Sequence, residues 1–281
     1  MFWKMGANNK MNVLVSGNMS VYYGMEVTVY SLMRYNRNIN LYVLTSTFDQ
    51  IAQPWDNMCR HFEGLGEFEK QKITNIIKYF DPYGSTVTFI DPIDLYRTHL
   101  EGGVNEFSCF TPYAAFRLLA DLILQDVEDV LYLDCDTVIQ GSIESMYKAC
   151  QTSEHYCLAS YAEDACEGDG EMVSGVMFFN LNEIRQNNFL NLARQNYKRY
   201  EYQYPDQMAM RDAGEIGHLS EEYGYLQPLD KYAKQPVIIH FTNSLEKIYS
   251  KNISPLRFYR LYPQLKWIQK GLQMLDIIKF E

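Results

Sequence analysis

The sequence predicts an α/β protein, in which helices flank a sheet of short apolar strands. Asn12–Ser16 and Leu41–Thr45 are apolar runs of strand length. The segment Tyr23–Tyr35 between them repeats its apolar residues at helical spacing. This order of strand, turn, helix and strand begins a βαβ unit. The 281 residues suit one large domain of this class or two small ones.

The alternation of strands and helices continues along the chain. Further predicted strands are Thr86–Ile90, Val130–Leu133, Tyr156–Tyr161, Ser174–Leu181 and Val237–Phe241. Further predicted helices are Phe68–Phe80, Thr111–Leu124, Phe189–Tyr200 and a helix that begins at Pro205. The pair Thr111-Pro112 places an N-cap residue before a proline, which is typical of a helix start. Gly102-Gly103 and weak periodicity predict a flexible loop over Leu95–Ser108.

The composition excludes several classes of protein. A hydrophobic content of 47% and an aromatic content of 15% argue against disorder. The net charge of −10 argues against general binding of nucleic acid, which depends on neutralising phosphates. No apolar run approaches the roughly 20 residues of a membrane span. The six cysteines form no Cys-x-x-Cys pair, and residues 1–10 lack the apolar region of a signal peptide, so we expect a cytoplasmic protein with reduced thiols.

The most informative stretch is Val130–Ile139, in which an apolar run is followed by Asp134-Cys135-Asp136. Open α/β sheets bind ligands beyond the carboxyl ends of their strands. A strand that continued through both aspartates would place their side chains on one face. Two carboxylates so close repel each other unless a cation lies between them. A divalent cation holding a diphosphate meets this need, because carboxylate oxygens suit Mg²⁺ and Mn²⁺; the alternative is a polar turn without metal.

Other candidate residues lie at the ends of predicted elements. Asn18 and Ser20, after the first strand, are either turn residues or contacts for a nucleotide. Arg117 is either a surface residue with a buried stem or a partner of a phosphate or of the two aspartates. His240 follows a strand, and as a third metal ligand it would favour Mn²⁺ over Mg²⁺. A dinucleotide site is disfavoured, because the chain has no Gly-x-Gly-x-x-Gly motif.

Four stretches in one order resemble glycosyltransferase family 8, the family of lipopolysaccharide galactosyl- and glucosyltransferases and of glycogenin. They are Leu131–Asp136, Ser174–Leu181, Asp206-Gln207 and His240-Phe241, and the similarity extends from about Asn12 to Tyr249. The resemblance implies a GT-A fold, with a Rossmann-like mixed sheet flanked by helices. It also implies transfer of a hexose from a UDP-sugar, UDP-Glc or UDP-Gal being favoured, with retention of anomeric configuration.

The resemblance implies roles for residues at matching positions. It implies Mn²⁺, or Mg²⁺ in its place, bound by Asp134, Asp136 and His240. Gln207 matches a glutamine near the anomeric carbon, and Asp206 matches the neighbouring acidic residue that holds the sugar hydroxyls. The remaining candidates for contacts with the donor are Asn18, Ser20, Arg117, Cys135, Ser174, Gly175, Asn243 and Lys247.

The chain departs from the family pattern at several positions. Asn18 stands where many members have Asp, Val173 stands where an Asn is common, and Lys247 lies one place later than the family's lysine. Because of these departures, a sugar-binding domain that has lost activity remains an alternative. A nucleotidyltransferase is a further alternative, but it would need a glycine-rich loop that cradles phosphates near the N-terminus.

The composition changes after residue 254, which divides the chain into a transferase domain (1–254) and a C-terminal tail (255–281). The tail has five basic residues against Asp276 and Glu281. Its apolar residues expected at a headgroup boundary are Tyr259, Tyr262, Trp267, Ile268, Leu272, Leu275 and Ile278. We therefore expect peripheral contact with the inner face of a membrane. The acceptor that the resemblance implies is a glycan or a lipid-linked saccharide. The alternative is a last helix packed on the domain.

Overall fold

The computed structural model describes residues 10–52, 59–106, 108, 111–162, 171–226, 236–242, 259–260 and 262–277. The strands are β1 (Met11–Ser16), β2 (Ile39–Leu44), β3 (Phe48–Ala52), β4 (Cys59–Phe62), β5 (Thr86–Ile90), β6 (Asp129–Leu133), β7 (Thr137–Ile139), β8 (Cys157–Ala162), β9 (Glu171–Asn180), β10 (Gly217–His218), β11 (Tyr223–Leu226) and β12 (Ile238–His240). The α-helices are α1 (Tyr22–Tyr35), α2 (Glu67–Phe80), α3 (Ile93–His99), α4 (Pro112–Ala115), α5 (Ala120–Ile123), α6 (Glu144–Gln151), α7 (Leu181–Gln186), α8 (Phe189–Arg199), α9 (Pro205–Arg211) and α10 (Lys266–Ile277). 3-10 helices cover Phe116–Leu119 and Pro263–Leu265. These elements confirm the predicted α/β class.

A seven-stranded sheet in the order β10-β8-β9-β6-β1-β2-β5 forms the centre of the described fold. β1 pairs in parallel with β2 and β6, and β2 pairs in parallel with β5. β9 runs antiparallel to both β6 and β8. Val13 and Val15 belong to one buried cluster and Leu14 to another, so β1 is covered on both faces. Burial on both faces explains why such strands are continuous apolar runs.

The direction of β9 determines which residues meet at the end of β6. Because the two strands are antiparallel, the beginning of β9 lies beside the end of β6, and the backbone N–H of Asp134 donates to the carbonyl of Gly175 at 2.8 Å. A three-stranded sheet, β11-β12-β7, pairs His240 of β12 with Thr137 of β7. Residues from β6, β9 and β12 therefore come together at one edge of the central sheet.

The predicted helix Thr111–Leu124 differs from the structure, because a 3-10 helix at Phe116–Leu119 separates α4 from α5. The side chain of Thr111 does not cap the helix. In the 3-10 helix, the carbonyl of Leu118 accepts a hydrogen bond from Arg194 Nη1 at 2.6 Å. A carbonyl bound by a tertiary partner needs no helical N–H, so long-range contacts help to hold the tighter turn.

The prediction of a flexible loop over Leu95–Ser108 is wrong for the residues that the structure describes. Its first part belongs to α3, and its later part is fixed by Asn105, which is 2% exposed. Asn105 Nδ2 donates to the carbonyl of Tyr197, and the backbone N–H of Tyr202 donates to Asn105 Oδ1 at 2.9 Å. These bonds anchor the segment to the end of α8 and the chain that follows it.

Three features used to predict the compartment were the N-terminus, the cysteines and the lack of a membrane span. Residues 1–9 lie outside the described residues. Cys135, Cys150 and Cys157 are buried free thiols, which agrees with the expected reduced state for these three residues. Among the helices of the described chain, none has the length and apolar character needed to cross a membrane.

The C-terminal segment packs on the domain through α10. Ile268, Leu272 and Leu275 are buried, and the rings of Trp267 and Tyr30 have their centroids 6.0 Å apart. Tyr30 belongs to α1, so α10 lies against that helix. The burial of each such aliphatic side chain contributes about 1.5–3 kcal/mol, which favours the docked position.

The prediction that the apolar residues of the tail settle in a membrane interface is wrong for the part of the tail that the structure describes. Tyr259 and Tyr262 are buried together with the apolar face of α10, whereas Ile278 lies outside the described residues. Lys266 and Lys270 stay exposed. An amphipathic helix buries its apolar face against an apolar surface, and α1 offers one within the same chain. The alternative of a packed last helix is therefore correct.

We expect Gly271→Ala to destabilise the protein. A Cβ at position 271 would lie 1.7 Å from Tyr30 Oη and 2.2 Å from Tyr30 Cζ, so the buried ring or the helix must shift. Overpacking of this kind costs about 1–3 kcal/mol, although Gly→Ala inside a helix normally stabilises it. The free energy of unfolding, measured in urea, should fall for Gly271→Ala and stay nearly unchanged for the exposed control Gln273→Ala. An increase for Gly271→Ala would contradict the packing of α10 on α1.

Candidate functional site

Three side chains at the edge of the central sheet converge on one point. The donor atoms of Asp134, Asp136 and His240 all lie within 4.8 Å of one another. His240 Nε2 lies 3.1 Å from Asp136 Oδ1 and 3.6 Å from Asp134 Oδ2. Asp136 and His240 are buried, and the side chain of Asp134 is 26% exposed. Only Asp134 therefore borders the solvent.

The two aspartates converge through a turn rather than along a strand. β6 ends at Leu133 and β7 begins at Thr137, so Asp134 and Asp136 lie between the two strands. Thr137 Oγ1 and the Thr137 backbone N–H both donate to the carbonyl of Asp134, at 2.9 and 3.2 Å. The backbone N–H of Phe241 donates to the carbonyl of Asp136 at 2.9 Å. These bonds fix the turn and place His240 beside Asp136.

Gly175 leaves room for the imidazole of His240. A Cβ built at position 175 would lie 2.0 Å from His240 Cε1 and 2.4 Å from His240 Nε2. No side chain fits there while the ring keeps its place. The glycine at the start of the second apolar strand thus allows the backbone of β9 to approach the histidine closely.

The three residues fit a small divalent cation. Ligand atoms at about 2.1 Å from an octahedral ion are about 3 Å from their nearest neighbours. The distances of 3.1 and 3.6 Å from His240 Nε2 to the two carboxylates are close to this spacing. Carboxylate oxygens suit both Mg²⁺ and Mn²⁺, and the imidazole nitrogen favours Mn²⁺. Asp134, Asp136 and His240 could therefore hold the predicted metal.

Arg117 lies beneath this cluster rather than on the surface, with a side chain that is 3% exposed. Its Nη2 donates to Asp134 Oδ1 at 2.8 Å, and its Nε lies 3.1 Å from Asp206 Oδ2. Its Nη1 donates to the carbonyl of Ser174. Burial alone would lower the pKa of Arg117, but Asp134 and its other neighbours raise it above its usual value, so the guanidinium stays charged. Arg117 therefore contacts the aspartate cluster, and the alternative of a surface residue with a buried stem is wrong.

Tyr132 completes the surroundings of Asp134. Its hydroxyl donates to Asp134 Oδ1 at 2.7 Å, and its ring lies under the guanidinium of Arg117 at 4.1 Å. Burial raises the pKa of Tyr132 well above its usual value, and Asp134 adds to the shift, so the hydroxyl keeps its proton. The sequence analysis missed this residue. Its spacing of two from Asp134 in an apolar strand was the available sign, since residues i and i+2 share a face.

The helix α9 brings Asp206 and Gln207 to the beginning of β9. The backbone N–H of Ser174 donates to Gln207 Oε1 at 3.1 Å. The amide NH₂ is the other polar group of the Gln207 side chain. Ser174 Oγ lies 3.4 Å from Asp206 Oδ2. Burial raises the pKa of Asp206, and the charge of Arg117 opposes this shift. Through Arg117, Asp206 is linked to the same aspartate that faces the metal position.

Asn18 and Ser20 follow β1, the strand beside β6, and Cys135 lies between the two aspartates after β6. Ser20 Oγ donates to Asn18 Oδ1 at 2.6 Å, within the turn that joins β1 to α1. Cys135 Sγ lies 3.2 Å from the carbonyl of Ser16. Burial, followed by the two flanking aspartates, raises the pKa of Cys135, so the thiol is neutral and its sulfur faces the core. A contact of Cys135 with a ligand is thus restricted to its backbone.

Other positions from the sequence analysis are less informative. Asn243 and Lys247 lie outside the described residues. Val173 belongs to β9, and its carbonyl accepts a hydrogen bond from Ser160 Oγ at 3.0 Å. The described residues therefore bring together Asp134, Asp136, His240, Arg117, Ser174, Gly175, Asp206 and Gln207.

Several solved structures with a similar fold are glycosyltransferases. The apo structure of WbbM, a bifunctional glycosyltransferase, has a TM-score of 0.66 and 14% identity, covering 93% of this chain and 51% of WbbM. The galactosyltransferase LgtC, in complex with donor and acceptor sugar analogs, has a TM-score of 0.60 and 14% identity, covering 90% of this chain and 96% of LgtC. An active-site mutant of LgtC, in which a glutamine is replaced by glutamate, aligns over the same shares, with 13% identity and a TM-score of 0.59.

The enzyme xyloside xylosyltransferase 1 from mouse, in its apo form, has a TM-score of 0.57 and 13% identity, covering 83% of this chain and 97% of the mouse protein. These likenesses confirm the GT-A fold, while the chain spans only about half of WbbM. No curated protein sequence matches the chain. The sequence model of glycosyl transferase family 8 matches residues 12–248, which is most of the chain, so this protein belongs to glycosyltransferase family 8.

Proposed function

We propose that this protein is a retaining hexosyltransferase that uses a UDP-sugar donor, UDP-Glc or UDP-Gal being favoured, and a divalent metal ion. The acceptor is a glycan or a lipid-linked saccharide of the cell surface. The proposal rests on the cluster of Asp134, Asp136 and His240, which lies at the end of β6 in a chain of a glycosyltransferase family. That edge of an open α/β sheet is where ligands bind.

The metal in this proposal is Mn²⁺, with Mg²⁺ as the alternative. When bound, such an ion supplies Lewis-acid stabilisation of the charge that develops on a departing diphosphate. Asp134, Asp136 and His240 provide two oxygens and one nitrogen for it. Arg117 holds Asp134 from below, so the carboxylate keeps its orientation toward the cation position.

Gln207 and Asp206 are our candidates for contacts with the transferred sugar. The carbonyl oxygen of Gln207 is held by Ser174, so its amide NH₂ is the group that can donate to a sugar oxygen near the reacting carbon. Asp206 Oδ2 faces Arg117 and Ser174, and the carboxylate of Asp206 is our candidate for accepting a hydrogen bond from a sugar hydroxyl. LgtC also has a glutamine in its active site, since an active-site mutant of that enzyme replaces a glutamine by glutamate.

Titration with UDP tests the proposal most directly. The protein should bind UDP tightly with Mn²⁺ and weakly with EDTA, in isothermal titration calorimetry. A screen of UDP release from UDP-Glc, UDP-Gal, UDP-GlcNAc and UDP-GalNAc then identifies the donor. Metal-dependent binding of UDP without turnover of any of the four sugars would favour a binding domain that has lost activity. Equal binding of UDP with Mn²⁺ and with EDTA would overturn the metal assignment.

We expect Asp136→Asn to abolish metal-dependent activity while the fold survives. The variant removes one charged ligand of the proposed site, and even partners outside the first ligand shell of a metal are worth about 10–100-fold, so the loss should exceed about 100-fold. UDP release measured against Mn²⁺ concentration reports this effect. Asp129→Asn is the matched control, since Asp129 also accepts side-chain hydrogen bonds, from Tyr147 and Gln151, but at the opposite end of β6. A Mn²⁺ dependence of Asp136→Asn equal to that of the wild type would contradict the site.

Gly175→Ala should weaken Mn²⁺ binding although residue 175 offers no side-chain ligand. The new Cβ would overlap the ring of His240 and displace it from the two aspartates. Loss of one of three protein ligands should weaken Mn²⁺ binding by about 10-fold or more. The measurement is the dissociation constant of Mn²⁺ in the presence of UDP, with Gly141→Ala as the control. A Cβ at position 141 meets its nearest neighbour at 3.4 Å, so that variant should bind Mn²⁺ normally.

Gln207→Ala should lower kcat much more than it weakens binding of UDP. The side chain is proposed to contact the sugar near the reacting carbon, so its loss should act on the transition state. Steady-state kinetics and UDP calorimetry of the same variant separate the two effects. Gln140→Ala is the control, since the side chain of Gln140 also bonds to the backbone, donating to the carbonyl of Pro236 away from the cluster. A change confined to KM would place Gln207 in donor binding instead.

A further inference from the structure

The two oxygens of Asp134 have different surroundings. Oδ1 accepts hydrogen bonds from Tyr132 Oη at 2.7 Å and from Arg117 Nη2 at 2.8 Å. Oδ2 faces the cation position, 3.6 Å from His240 Nε2. The carboxylate is therefore divided between an inner oxygen, held by protein donors, and an outer oxygen that remains for a ligand.

Both donors to the inner oxygen are fixed in place. Tyr132 is 1% exposed and Arg117 is 2% exposed. The guanidinium lies 4.1 Å above the centroid of the tyrosine ring, so the two side chains hold each other. Nη1 of Arg117 donates to the carbonyl of Ser174, and Nε donates to the carbonyl of Ala114 and lies 3.1 Å from Asp206 Oδ2. Neither donor can leave Asp134 without breaking further buried contacts.

This arrangement limits how Asp134 can bind a metal ion. An ionised carboxylate has about four lone-pair sites, two on each oxygen. The two on Oδ1 are occupied by Tyr132 and Arg117. Only Oδ2 remains, so Asp134 would bind an ion through one oxygen. Mg²⁺ and ions of similar size take such single oxygens in an octahedron, whereas Ca²⁺ has six to eight ligands and readily accepts both oxygens of a carboxylate.

We propose that Tyr132 is a positioning residue that sets the metal selectivity of this site, because its hydroxyl keeps Asp134 in a one-oxygen binding mode that disfavours Ca²⁺. This inference rests on the metal site of the proposed function. It adds a residue that contacts neither the ion nor the sugar and acts through Asp134. The same hydrogen bond fixes the direction of Oδ2, so its loss should weaken binding of the smaller ion.

Metal binding to Tyr132→Phe tests the inference without any measurement of turnover. Dissociation constants of Mn²⁺ and Ca²⁺ are measured by calorimetry with saturating UDP, for the wild type and the variant. We expect the affinity for Mn²⁺ to fall about 10-fold or more and the affinity for Ca²⁺ to stay equal or rise, so the preference for Mn²⁺ falls about 10-fold or more. Tyr147→Phe is the matched control, because Tyr147 is also buried and donates its hydroxyl to a carboxylate, that of Asp129. Its preference for Mn²⁺ should equal that of the wild type.

Four results would count against the inference. Equal weakening of Mn²⁺ and Ca²⁺ in Tyr132→Phe, or no change in either, would overturn the selectivity role. Equal affinities for Mn²⁺ and Ca²⁺ in the wild type would overturn it as well, and this measurement needs no variant to fold. A wild-type protein that binds neither ion with UDP would overturn the metal site of the proposed function, and the inference with it.

Discussion

The site depends on the interactions of one buried group, the guanidinium of Arg117. It contacts Asp134 and Asp206, two carboxylates from distant parts of the chain, and the carbonyl of Ser174. Burial of an ionised group is costly unless charged partners and hydrogen bonds compensate it, and loss of one partner leaves the other uncompensated. The end of β6, the start of β9 and the start of α9 are therefore tied to one side chain. Its planar fork suits this task better than a lysine, because it can direct several donors at fixed angles.

Much of this architecture follows from short-range features of the sequence. The apolar runs of β1, β2, β6 and β9 are strong patterns, because strands buried on both faces have few polar positions. The cluster of Asp134, Asp136 and His240 was also within reach, since carboxylates after a strand and a histidine after another can meet at one edge of a sheet. The sequence could not predict that the two aspartates converge through a turn, because the end of β6 at Leu133 depends on hydrogen bonds from Thr137 and Phe241.

The features that the sequence did not predict depend on contacts between distant residues. The 3-10 helix at Phe116–Leu119 bonds to Arg194, 76 positions from Leu118, and local propensity contains no information about that partner. The docking of α10 has the same origin, because a basic amphipathic helix has one sequence pattern whether its apolar face meets lipid or α1. The hydrogen bond of Tyr132 was hidden for a different reason: within an apolar strand, a tyrosine is ordinarily a packing residue.

The charges at the edge of the sheet link the two ligands of the proposed function. The described side chains at this edge include three carboxylates, those of Asp134, Asp136 and Asp206. The guanidinium of Arg117 contacts Asp134 and Asp206, and Asp136 lies beside His240. A diphosphate brings more negative charge to this surface, and a divalent cation removes the resulting repulsion. The free energies of binding of cation and diphosphate are then coupled, and thermodynamic linkage requires each to raise the affinity for the other by the same factor. Under the proposed function, cation and nucleotide would therefore bind cooperatively, and the concentration of one would set the apparent affinity for the other.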